Sequence, residues 1–173
     1  MKKIVVNDTN VFIDLYNIDL LEEFFRLPWE IHTTDFVISE LRKEKQKYSI
    51  KQFVKEGKLR IDSFGPEQLN EILDLQKQFE SKTNVSLTDC SVWYYAKTKN
   101  CPLLTGDRKL KSSSQKDGVE VHGIIYVFDS LLSEGILSHE VTTLKLKELQ
   151  ALNPRLPQKV IKDRLNLWES LSK

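Results

Sequence analysis

Five short apolar runs, each followed by a stretch of helical periodicity, constrain this 173-residue chain more than any other feature. The runs lie at 3–7, 30–33, 59–64, 102–105 and 119–123, and the first holds Ile4, Val5 and Val6, residues that suit a buried strand. Between the runs, apolar residues recur at helical spacing, as in Val11, Leu15, Leu20, Phe24 and Leu27, or Leu69, Ile72, Leu73 and Phe79, a stripe that Gln76 continues. Strands that alternate with helices are joined by crossovers. The pattern therefore predicts an α/β three-layer sandwich, with a mostly parallel sheet of four or five strands flanked by helices.

Local signals set the expected boundaries. A helix starts near Thr34 or Asp35, a good capping neighbourhood, and runs through Glu40 into the basic stretch RKEKQK. Residues 50–56 read as helix ended by Gly57, and Pro66 suits the first position of another helix. A polar loop at 81–86 leads to a helix over 87–99, and a short basic helix spans 107–116. A helix over 124–134 ends at Gly135. Two last helices carry Val141, Leu144, Leu149 and Leu152, then Ile161, Leu165, Trp168 and Leu171. Asn153-Pro154 is the one late break, so residues 1–150 are read as the main unit and 151–173 as a C-terminal helix packed on it.

Composition narrows the function classes. A net charge of +1 argues against a polybasic binder, although charges segregated on the surface still allow a polyanion partner. Cys90 and Cys101 form no C-x-x-C pair and His32, His122 and His139 are scattered, so no zinc pattern exists and half-buried reduced thiols are expected. No apolar run reaches the roughly 18 residues of a membrane span. Met1-Lys2-Lys3 is basic, but Asp8 interrupts the short apolar run behind it, unlike a signal peptide. A cytoplasmic protein is expected.

Acidic residues stand where ligands bind in open α/β sheets, beyond the carboxyl ends of strands. Asp8 follows the first strand, and Asp107 follows the fourth across Gly106, read as permitting a tight turn. Asp89 sits in the first turn of a helix, and Glu40 lies past the second strand. Each has a plain alternative. Asp8 and Asp107 suit helix caps, Ser86-x-x-Asp89 fits a capping box, and Glu40 suits a solvated helix face.

The order of these pieces resembles the PIN-domain nucleases, including VapC-type toxins of bacterial toxin–antitoxin pairs. VVNDTNVFIDL, TTDFVISEL, LTDCSVWYYAK and PLLTGDRKL carry the resemblance, and VEVHGIIYVFDSLLSEGILS resembles the family's last strand and helix, giving coverage of about residues 3–140. The resemblance implies strand order 3-2-1-4-5, which sets the strands before Asp8 and Asp107 side by side. It further implies an endoribonuclease, a small antitoxin partner for toxin members, and a homodimer.

Four carboxylates in one cleft repel each other unless protons or cations enter. Oxygen-only ligands suit Mg²⁺ or Mn²⁺, one or two per site, rather than Zn²⁺. Asp8 and Asp107 are read as principal ligands, Asp89 as completing the set, and Glu40 as binding a second metal or orienting water. Asn10 and Thr105 are read as hydrogen-bonding around them. Phosphodiester hydrolysis follows. Setting these four acids aside turns the net charge of +1 into +5 for the remainder. Lys43, Lys45 and Lys47, and Arg108, Lys109 and Lys111, are expected to meet RNA phosphates, the alternative being solvated charged faces. Trp93, Tyr94 and Tyr95 offer either a base-stacking surface or, at helical spacing, core. The alternative function is a catalytically inactive PIN-like module that binds RNA or a protein. A nucleotide-binding or phosphatase-like domain is disfavoured, since G-x-x-x-x-G-K-[ST], G-x-G-x-x-G and Asp-x-Asp are all missing.

Overall fold

The structure, a computed structural model, describes residues 3–171, the side chains of 80–83 and 171 excepted. Met1 and Lys2 of the basic start, the Leu171 side chain and the last two residues lie outside the described residues. The elements run β1 (Lys3–Asn7), α1 (Thr9–Asn17), α2 (Leu21–Phe24), β2 (Trp29–Thr34), α3 (Asp35–Glu40), α4 (Glu44–Lys55) and β3 (Leu59–Asp62). Then come α5 (Pro66–Thr83), α6 (Leu87–Lys99), β4 (Leu103–Leu104), α7 (Arg108–Lys116), β5 (Val121–His122), α8 (Ile124–Ser133), α9 (His139–Leu152) and α10 (Gln158–Leu171).

The five strands form one sheet in the order β3-β2-β1-β4-β5, with every pairing parallel, as expected. Register aligns Val6 with His32 on one side and with Leu103 on the other, so the carboxyl ends of β1, β2 and β4 finish at one edge. Val5 and Val6 are wholly buried, as a central parallel strand requires. Helix α6 packs on β1, β2 and β4, with Val92, Trp93, Tyr95 and Ala96 in the core. Ile161, Leu165 and Trp168 of α10 join the same apolar cluster.

Several boundaries differ from the sequence expectation. The helix begun at Thr34 does not run into the basic stretch: Leu41 turns extended (ψ 113°), and a new helix starts at Glu44. Leu41 is 3% exposed, so its burial outweighs the helix propensity of its charged neighbours. Helix α5 continues to Thr83, shortening the expected loop at 81–86. Strands at 59–64, 102–105 and 119–123 contract to β3, β4 and β5, though the Thr105 N–H still donates to the His122 carbonyl at 2.9 Å. Gly57 and Gly135 end their helices with φ of +69° and +64°, the left-handed region that glycine enters without strain.

The stripe expected on α9 is rotated. Val141, Leu144 and Leu152 are exposed, whereas Thr142, Leu146 and Leu149 face the core. Thr142 can be buried because its hydroxyl donates to the Ser138 carbonyl at 2.7 Å. On α5, Leu73 points outward and Leu75 packs on the core instead. Cys90 and Cys101 are free thiols, fully buried rather than half-buried.

Candidate active site

At the carboxyl edge of β1 the chain turns from strand to helix at Asp8, which is 2% exposed. Its Oδ1 accepts the Thr9 N–H at 2.7 Å. Its Oδ2 accepts from Asn10 Nδ2 at 2.8 Å and from the Thr105 hydroxyl at 2.7 Å. The Thr105 oxygen accepts the Asp107 N–H at 3.0 Å, so one threonine ties Asp8 on β1 to the backbone of Asp107 beyond β4. Asn10 adds a second tie, because its Oδ1 accepts the Gly106 N–H at 2.7 Å. A Cβ at Gly106 would lie 3.1 Å from that oxygen, and Gly106 is not in the left-handed region. The glycine therefore serves the close approach of Asn10, not the special turn expected of it.

The capping readings and the site readings are compatible. Asp107 caps α7, its Oδ1 accepting the Lys109 and Leu110 N–H groups at 2.8 Å each. Asp89 closes the capping box, its Oδ2 accepting the Ser86 N–H at 2.8 Å while Ser86 Oγ accepts the Asp89 N–H at 3.0 Å. Glu40, at the exposed end of α3, accepts the Thr9 hydroxyl on Oε2 at 2.5 Å.

Electrostatics show which acids share a neighbourhood. Burial, then the charges of Asp89 and Glu40, push the Asp8 carboxyl up to about 7, against the pull of the Thr105 and Thr9 hydrogen bonds. Burial, and behind it the charges of Asp107 and Glu40, raise Asp89 despite its two Ser86 bonds. Asp8 thus lies within reach of the charges of Asp89 and Glu40, and Asp89 within reach of those of Asp107 and Glu40, while Asn10 and Thr105 bridge Asp8 to the segment 105–107.

The donor set is oxygen only, and its mutual repulsion suits a hard divalent cation. It is not a closed cage: among the described residues, no three His, Cys, Asp or Glu side chains are gathered tightly enough to hold a metal ion. Mg²⁺ is commonly held by one or two carboxylates, with water and phosphate oxygens completing its octahedron.

Lys43, Lys45, Arg108, Lys109 and Lys111 are exposed, and Lys47 is half-buried. Arg108 and Lys111 line a groove along α7 that begins next to Asp107. Trp93 and Tyr95 are buried and Tyr94 is half-buried, which places this trio in the core rather than on a stacking surface. Sequence reasoning missed Thr9, whose hydroxyl positions Glu40. It also missed Asp14, which burial pushes up to about 6 while Asn153 binds it.

A parallel sheet in the order 3-2-1-4-5, with an aspartate at the carboxyl end of β1 and another just beyond β4, defines a class of α/β protein. The family model DUF3368, described as a PIN domain, matches residues 4–170, and the chain belongs to the PIN-domain family. PAE2754 from Pyrobaculum aerophilum shares the fold, with a TM-score of 0.55 at 14% identity over 77% of this chain and 99% of that one. VapBC2 from Rickettsia felis, solved bound to a DNA fragment from their promoter, aligns with a TM-score of 0.49 at 19% identity, over 69% of this chain and 98% of that one. FitAcB from Neisseria gonorrhoeae gives 0.45 at 14% identity, over 68% and 95%. No curated protein matches the sequence. Among the described residues, no helix is long and apolar enough to cross a membrane.

Proposed function

We propose that this PIN-domain protein is a cytoplasmic endoribonuclease whose cleft hydrolyses RNA phosphodiester bonds with Mg²⁺ or Mn²⁺. Asp8, Asp89 and Asp107 would hold the ion between them, directly or through its bound waters, with Glu40 at a second position or orienting water. When bound, such an ion polarises the phosphoryl oxygen and neutralises charge on the leaving group. The chain's own residues do the rest. Thr105 and Asn10 fix Asp8 through its Oδ2. Thr9 holds one Glu40 oxygen, so the other can receive a proton from an attacking water. Arg108, Lys109, Lys111 and Lys43 neutralise phosphates that enter an acidic cleft.

One observation supports the reading: at the carboxyl ends of neighbouring strands β1 and β4, Thr105 and Asn10 tie Asp8 to the backbone of Gly106 and Asp107, while Thr9 beside Asp8 binds Glu40. The test is cleavage of a mixed RNA pool with Mn²⁺, with EDTA, and with Asp8→Asn. We expect cleavage only by the wild type with metal; equal cleavage by Asp8→Asn refutes the reading.

The inactive-module alternative draws support from the lack of a three-acid metal cage among the described residues. Calorimetric titration with Mn²⁺ separates the two, because an inactive module gives no binding heat for Asp8→Asn to remove. We further propose a small antitoxin protein as the natural inhibitor. Growth arrest on overexpression, relieved by Asp107→Asn, is the expected sign of toxicity.

A further inference from the structure

The Asn153-Pro154 break leads into a loop between α9 and α10 that is tied to both helices starting at the site. Asp14 on α1 accepts from Asn153 Nδ2 at 3.1 and 3.2 Å, on its two carboxylate oxygens. Asn153 Oδ1 accepts the Arg155 N–H at 3.2 Å, and Leu156, 7% exposed, anchors the next residue in the core. Across the gap, Arg108 on α7 donates Nη2 to the Arg155 carbonyl at 3.4 Å. The chain of contacts therefore runs from α1 through Asn153 and Arg155 to the residue after Asp107.

The end of this chain of contacts is rich in cations. Lys97, Arg60 and Arg164 each have a carboxylate partner within 4 Å. Among the described residues, no such partner is found for Arg108, Lys111, Lys116 or Arg155, all of them exposed. Arg108, Lys111, Ser112, Gln115 and Lys116 line one groove, at helical spacings that put them on one face of α7. That face starts at the acidic cleft and runs roughly 13 Å along the helix. A guanidinium has five N–H donors in a fork that matches phosphate, and Arg108 spends one on the loop.

We propose that the loop presents Arg155 beside Arg108 as a two-arginine clamp on the backbone phosphates of an RNA strand that leaves the cleft along α7. Asp14 and Asn153 are positioning residues for this clamp. Charge complementarity selects the occupant: unpaired cations and neutral hydrogen-bonding side chains on a groove next to a phosphodiester-cleaving cleft. The proposal rests on the nuclease reading above for the direction of the strand, but its phosphate chemistry can be tested separately.

The test uses the full chain in EDTA, so that no cleavage occurs, with a fluorescein-labelled single-stranded RNA titrated at several salt concentrations. Arg155→Ala is expected to weaken binding about fivefold at 0.1 M salt and to lower the logarithmic salt slope by about 0.7, the loss of one phosphate contact on a single strand. Lys147→Ala, which breaks the Lys147–Glu169 pair on α9 and α10, is expected to change neither. Asn153→Ala should match Arg155→Ala and add nothing in the Arg155→Ala background, a non-additivity that loss of general stability would not give. A second titration uses inorganic tripolyphosphate. If the wild type binds it in an Arg155-dependent way but cuts no RNA, the clamp stands and the nuclease reading falls. If Arg155→Ala binds both RNA and tripolyphosphate as the wild type does, with an equal salt slope, the clamp is overturned. Arg155 is exposed, so its variant is expected to fold.

Discussion

Replacing Asp8 by Asn should make the protein more stable while abolishing its activity, and the gain should depend on pH. Asp8 is buried, and its carboxyl is raised from 3.8 to about 7, first by burial and then by Asp89 and Glu40. The unfolded chain releases this proton near pH 4, whereas the folded chain keeps it to about pH 7. Between those values unfolding releases a proton, so folding stability falls as pH rises, then levels off above about 7. A shift of about 3 pK units corresponds to a penalty on the order of 4 kcal/mol at pH 8, as an upper bound. Asp14, raised to about 6 by burial, adds a smaller term of the same sign over pH 4 to 6. Asn resembles the protonated acid in shape and charge, although its amide nitrogen leaves one of the donors that serve Asp8 without an acceptor, which offsets part of the gain. Urea unfolding in EDTA, from pH 4.5 to 8.5, should therefore show wild type and Asp8→Asn close together at the acid end. The variant should lead by about 1–3 kcal/mol at the alkaline end, the burial penalty less the cost of the acceptor that Asn lacks. Mn²⁺ at pH 8 should close part of the gap by stabilising the wild type alone. A wild type whose stability climbs from pH 5 to 8 without metal, or an Asn variant that is the weaker protein at pH 8, would refute the reasoning.

Thr105→Val removes the hydroxyl that serves Asp8 Oδ2 and the Asp107 N–H, and should cost about 1–3 kcal/mol in urea unfolding. It should lower kcat more than it raises KM, since it misplaces a carboxylate without touching the phosphate-binding cations. Asp107→Ala should cost about 1 kcal/mol through loss of the α7 cap, in addition to loss of cleavage, because both N–H groups on Oδ1 lose their acceptor. A variant that melts like the wild type would show that the cap contributes little.

The sheet was readable because parallel strands buried on both faces leave compact Val- and Ile-rich runs, and Ile4–Val6 is such a run. The faces of surface helices were harder to read. On α9 the apolar residues fit two stripes, and Thr142 decides between them only once its hydroxyl finds the Ser138 carbonyl. The break after Glu40 was hidden because the charged residues beyond it favour helix, and Leu41 must leave the helix to reach the core. At the site, the aspartates were visible as strand-end and capping residues. The capping roles are present in the structure, and they leave each aspartate an oxygen for a role at the proposed site. The contribution of residues 153–156 was not legible, because it depends on a contact between Asp14 and Asn153, 139 positions apart.

The hydrogen bonds that stake Asp89 and Asp107 to the first turns of their own helices have a mechanical corollary. A surface carboxylate crowded by like charge ordinarily swings toward solvent. These cannot do so without uncapping a helix, and Asp8 is pinned at both oxygens. The crowding among these three is therefore built into the backbone, and a change of occupancy, by a proton or by a positive ion, relieves it.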